Sequence, residues 1–108
     1  MSREINKKLV KGMLGPLILR IVNDHPCHGY FIKSKINKMN NVCFGASTIY
    51  PELKRLSNKG YIKPVWDMNG KWPRKVYAIT LQGEKMLHED TCELQIIVKQ
   101  FLQIEVQN

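Results

Sequence analysis

Residues 61–79 interrupt an otherwise helical sequence, and that interruption limits the folds open to the chain. Tyr61-Ile62-Lys63-Pro64-Val65-Trp66 and Arg74-Lys75-Val76-Tyr77-Ala78-Ile79 are β-prone runs, with Asn69-Gly70 in the segment between them. Asn-Gly adopts the positive φ angles of a hairpin reversal, although this loop is longer than two residues. Pro64 cannot donate to a ladder, so the first run is expected to be an edge strand or a short one.

Three helices are expected before the hairpin. Ile5, Leu9, Met13, Leu17 and Ile21 recur at four-residue steps, with Leu14, Ile18 and Val22 beside them, which predicts a helix from Ile5 to about Asn23. Gly15-Pro16 inside it predicts a kink or restart, and Asp24-His25-Pro26 ends it. A second helix is expected from His28-Gly29 to about Met39, with Asn40-Asn41 as a turn. The third spans roughly Ala46 to Lys59, with Ile49, Leu53 and Leu56 on one face, distortion expected near Pro51, and Gly60 as a left-handed C-cap.

After the hairpin, Thr80 reads as an N-cap for a last helix from Leu81 into the 100s. Leu87, Leu94 and Phe101 recur every seven residues, with Thr91, Val98 and Glu105 between them, as in a coiled-coil seam. So long an amphipathic helix exceeds what a body of about 80 residues can cover. Leu87, Thr91, Leu94, Val98 and Phe101 are therefore expected at a dimer interface, with packing on the chain's own domain as the alternative. The reading is a mostly α, α+β chain: residues 1–80 form a winged helix-turn-helix domain and residues 81–108 a C-terminal dimerisation helix.

Charge divides the chain in the same place. Residues 1–80 hold fifteen basic and four acidic groups, a net of +11, while residues 81–108 hold two and five, a net of −3. A basic body suits a polyanion, and an acidic tail with an apolar stripe suits protein. In a winged helix-turn-helix the third helix enters the major groove of double-stranded DNA and the hairpin tip meets the neighbouring backbone or minor groove. Ser47, Thr48, Tyr50, Lys54 and Arg55 on that helix, and Lys71, Arg74 and Lys75 on the wing, are the expected DNA contacts. Trp66 and Trp72 flank the wing; Trp66 is expected to pack on the body and Trp72 to cover the hairpin, with stacking on a ligand or base as the alternative.

The rest of the sequence excludes more than it suggests. The longest apolar run, Met13 to Ile21, is broken by Gly15, Pro16 and Arg20 and falls well short of a membrane span, and no secretory signal is visible. Cys27, Cys43 and Cys92 form no even framework, which fits a reducing cytoplasm. His25, Cys27 and His28 cluster, and His88 and Cys92 have the spacing of a metal half-site, but neither set completes four ligands within one chain. No metal, cofactor or catalytic constellation is expected, since nucleophile elbow, phosphate loop and HExxH motif are all missing.

Gly29-Tyr30, then Thr48-Ile49-Tyr50-Pro51-Glu52-Leu53-Lys54-Arg55-Leu56, Gly60-Tyr61-Ile62, and Pro73-Arg74-Lys75-Val76-Tyr77 with Ile79-Thr80 and Gly83 resemble the PadR family of transcriptional regulators over roughly residues 9–85. The resemblance implies a cytoplasmic homodimeric repressor on a pseudo-palindromic operator, in the compact form with a single C-terminal helix. Some relatives of that form hold flat hydrophobic drugs between subunits with an aromatic from the middle of the last helix. Leu94 takes that seam position here and cannot stack as an indole does, so a different small hydrophobic effector at the dimer seam is the expectation. The competing reading is a winged-helix interaction module whose basic face docks an acidic protein.

Overall fold

The structure, a computed structural model, describes residues 4–105. Its elements are α1 (Glu4–Gly12), α2 (Leu14–Asp24), β1 (Cys27–His28), α3 (Gly29–Asn40), α4 (Ala46–Asn58), β2 (Ile62–Asp67), β3 (Arg74–Ile79) and α5 (Leu81–Gln103). This is the winged helix-turn-helix order, with a long C-terminal helix added.

The expected restart of the first helix occurs, but three residues before the proline. Met13 closes the turn by donating its amide to the Val10 carbonyl at 3.0 Å, and it caps α2. Pro16 is then the third residue of α2, where an amide would have no acceptor within the helix, so the ring breaks nothing. The restart also redirects the stripe: Val10, Leu14, Ile18, Leu19 and Val22 are buried, while Ile5 and Leu9 are exposed. Pro51 lies inside α4, which runs unbroken from Ala46 to Asn58.

The core is built where α2, α3 and α4 meet the sheet. Ile18, Ile32, Ile36, Ile49 and Leu53 show no accessible surface, and Ile62 of β2 closes one side. Asn41 (φ 52°) ends α3 in the left-handed region, and Gly60 (φ 79°) does the same after α4. Between α3 and α4 the Asn37 side chain clamps the connecting loop: Nδ2 donates to the Phe44 carbonyl and Oδ1 accepts from the Phe44 amide, both at 2.9 Å. Phe44 is thereby held in the core. Asn37→Ala should leave both Phe44 groups unpaired and cost about 1–3 kcal/mol in urea denaturation. A loss well below that would mean that water replaces the clamp.

The sheet holds one strand more than the sequence suggests. Its order is β1-β3-β2, with Cys27 opposite Tyr77 and His28 opposite Val76. β1 is two residues long, too short to carry a period of its own; β3 selects it. β2 is an edge strand, which accommodates Pro64 opposite Tyr77.

Thr80 ties the wing to α5. Its Oγ1 accepts from the Gly83 amide at 3.0 Å, and its hydroxyl points at the carbonyls of Gly60 (2.5 Å) and Tyr61 (3.1 Å). Gly83 and Leu87 are buried against the body. Farther along, α5 leaves the body: Ile97, Phe101 and Leu102 are 58%, 72% and 74% exposed. The molecule is accordingly 64 Å long but only 33 by 20 Å across.

Candidate nucleic-acid interface

α4 buries Ile49, Leu53 and Leu56 and turns the opposite side outward. Ser47, Tyr50 and Lys54 are exposed there, and Thr48 is half-buried. Among the described residues Lys54 has no acidic partner.

Arg55 departs from the expectation. Both its Nε and its Nη2 engage the Glu52 carboxylate, with Nε donating at 2.6 Å. That hydrogen bond, outweighing partial burial, pushes the guanidinium further up. The pair lies over Gly15 of α2, where a Cβ would come within 3.1 Å of Nη2. Arg55 also lines a hollow with Leu19, Met86 and Asp90, so it faces α2 and α5. Adjacent positions on a helix differ by about 100°, and that rotation separates Arg55 from Lys54.

Beside α4, a cleft of about 240 Å³ is lined by His28, Gly29, Tyr30, Tyr50, Arg74, Lys75 and Tyr77. It joins the start of α3, the outward face of α4 and the base of the wing in one concave surface. Gly29 makes the junction feasible, since a Cβ there would approach the Tyr50 ring to 2.8 Å. The Gly29-Tyr30 pair thus serves α4 as well as α3, a long-range role that no local pattern could have indicated. Lys75 Nζ stands 5.6 Å from the Tyr77 ring centre, and Lys33 Nζ 5.3 Å from that of Tyr30. Among the described residues no acidic side chain lines the cleft, and Glu52 of α4 is paired with Arg55. The surface is therefore cationic, with aromatic rings set among the charges.

The wing differs from expectation in its tryptophans. Trp66 is 62% and Trp72 71% exposed, so neither packs as anticipated. Trp66 does share a face with inward-pointing Ile62, as strand alternation requires, but the hairpin has run past the edge of the body by that point. Lys71, Arg74 and Lys75 are all exposed.

A fold with these features has known counterparts. The family of PadR-like transcriptional regulators matches over residues 18–89, two thirds of the chain. The chain belongs to this family. A PadR family transcriptional regulator from Eggerthella lenta is similar in structure (TM-score 0.77, 27% identity), covering 94% of this chain and 92% of its own. A PadR-like transcriptional regulator from Bacillus cereus (TM-score 0.76, 28% identity) covers 91% and 99%. An uncharacterized protein X of Lysinibacillus sphaericus is 28% identical over 105 residues, which is 92% of this chain and 96% of that one. This PadR-like chain is thus a transcriptional regulator by family, as the two solved structures it resembles are named.

On the other side of the molecule, a groove of about 340 Å³ runs between α2 and α5, lined by Met13, Pro16, Leu17, Arg20, Leu87, Asp90, Thr91, Leu94 and Gln95. Burial first, and then neighbouring Glu89, raise the Asp90 carboxyl. The expected seam divides here. Leu87 is 7% exposed and belongs to the chain's own core, which is the packing alternative realised at that one position. Thr91 is half-buried, its hydroxyl donating to the Leu87 carbonyl at 2.7 Å. Leu94, Val98 and Phe101 are exposed. Sequence reasoning did not single out Ile97, Leu102 and Ile104, which are also exposed.

Cys27 is buried, and its thiol donates to the His25 carbonyl at 3.0 Å; burial, and then Asp24, push the thiol up. Among the described residues no group of three or more His, Cys, Asp or Glu could hold a metal ion, and no helix is long and apolar enough to cross a membrane.

Proposed function

We propose that this PadR-like regulator acts in the cytoplasm as a homodimer. Each α4 enters a major groove of a pseudo-palindromic operator, the wings grip the flanks, and the bound dimer represses. The observation that carries the reading is the continuous cationic surface formed by Ser47, Tyr50 and Lys54 of α4 with Arg74 and Lys75 across the shared cleft. Paired α5 helices would set the half-sites about one DNA turn, or a multiple of it, apart. Leu94, Val98 and Phe101 are the interface residues in this reading, with Leu87 behind them as support. A small apolar effector would enter the groove between α2 and α5 and change the separation of the reading helices.

The test is fluorescence anisotropy of labelled duplex from upstream of the chain's own gene, with a shuffled duplex of equal composition beside it. A preference of about 10³ or more for the native duplex is expected. Lys54→Ala and Arg74→Ala should each weaken binding and lower the slope of log K against log salt by about 1, with the circular dichroism spectrum unchanged. Unaltered affinity in both variants would defeat this docking mode. Equal binding of both duplexes that fades steeply with salt would mean a bare phosphate grip at that site, and other promoters would be searched before docking of an acidic protein is taken up.

A further inference from the structure

The wing exposes more apolar surface than a charge-only contact needs. Val65, Trp66, Met68 and Trp72 are 41%, 62%, 68% and 71% exposed, within a stretch of eight residues. Isolated exposed side chains are ordinary, but two indoles and a methionine gathered on one hairpin tip are not. The surroundings indicate what covers them. Lys75 lies across from Trp66 and Lys71 precedes Trp72, whereas Lys63 and Val65 alternate to the other face of the strand, and the one acid of the hairpin, Asp67, accepts from the Asn69 amide. Trp66 stands directly opposite Lys75 in the strand register, on the face that continues into the Tyr30–Tyr50 cleft beside α4. Aromatic surface ringed by cations and joined to the reading face is complementary to a polyanion that also offers apolar edges. Duplex DNA does so in its minor groove, where apolar side chains can press against sugars and base steps between phosphate rails.

We infer that the wing is an aromatic wedge. Trp72 enters the minor groove beside the α4 site, and Trp66 lies along the groove wall with Lys75 on the adjacent phosphate. The inference rests on the DNA-binding reading above and adds a contact that is not ionic. Part of the affinity should therefore persist at salt concentrations that strip the lysine contacts.

Trp66 and Trp72 are the chain's two tryptophans, so all of its indole emission reports the wing. The experiment titrates the intact protein with the upstream duplex, following tryptophan emission and the anisotropy of the labelled DNA in the same samples. Trp66→Phe and Trp72→Phe separate the two signals. The expected result is a blue shift with quenching that saturates together with the anisotropy. Trp72→Ala should lose about tenfold in affinity, Trp72→Phe should lose less, and both should keep the wild-type salt slope. Lys71→Ala should show the converse, a reduced slope with the blue shift intact. DNA binding with unshifted emission would overturn the wedge and leave the α4 reading standing. Binding to neither the native nor the shuffled duplex would overturn both. Emission that shifts with anionic lipid vesicles and not with duplex would overturn the wedge in favour of a membrane surface.

Discussion

Leu94→Asp is expected to convert the regulator into a folded monomer that hardly binds its operator. Leu94 sits at the mouth of the α2–α5 groove at 40% exposure, and the bare stripe of Val98 and Phe101 continues from it along α5. A carboxylate at the centre of an apolar helix pair would have to be buried without a partner, at a cost of several kcal/mol. The same carboxylate in a monomer is half in water and strains nothing. Dimer loss also separates the two reading heads. The second half-site then no longer benefits from a tethered partner, and operator affinity should fall by about 10²-fold or more. Light scattering after gel filtration would give twice the chain mass for the wild type and the single chain mass for the variant. A dimer unchanged by the substitution would remove α5 from the interface; a monomeric wild type would remove the dimer.

Gly83→Ala should have the largest effect on stability. A Cβ at Gly83 would overlap the Tyr61 carbonyl and approach Ile79 Cγ1 to 2.8 Å. The carbonyl cannot give way easily, because it accepts from the Thr80 amide at 3.1 Å and faces the Thr80 hydroxyl. An overlap with backbone must be relieved by shifting α5 off the wing, at a cost of about 3 kcal/mol or more. That corresponds to a fall in Tm on the order of 10–20 °C for a domain this size. Gly12→Ala is the control, since nothing lies within 4 Å of a Cβ there. Equal melting of the two variants would defeat the account. The same contact has a functional consequence: α5 and the wing share one rigid joint at Tyr61, Thr80 and Gly83. A ligand that tilts α5 would therefore move the wing with it.

Much of this architecture is legible because it is written in short-range physics. Ile49, Leu53 and Leu56 repeat at the helical period, and the structure buries all three. Thr80 caps α5, and Gly60 takes the left-handed conformation after α4, as their side chains, or the lack of one, dictate. Asn69-Gly70 lies in the loop of a real hairpin. Each of these signals acts across four residues or fewer, so one chain read alone suffices.

The remainder was decided between elements distant in sequence. β1 exists because β3 offers it a partner about fifty residues away. Arg55 turns from the face that carries Lys54 because Glu52 holds it above Gly15, where α2 comes close enough to need a glycine. Leu87 shares its heptad period with Leu94, yet one is core and the other is 40% exposed at the groove's mouth, because α2 packs closely only against the first turns of α5. Trp66 keeps the alternation of an inward-facing residue but has no body left beneath it. Periodicity determines which way a side chain points on its own element. What stands opposite depends on where the other elements end, and only the tertiary structure determines that.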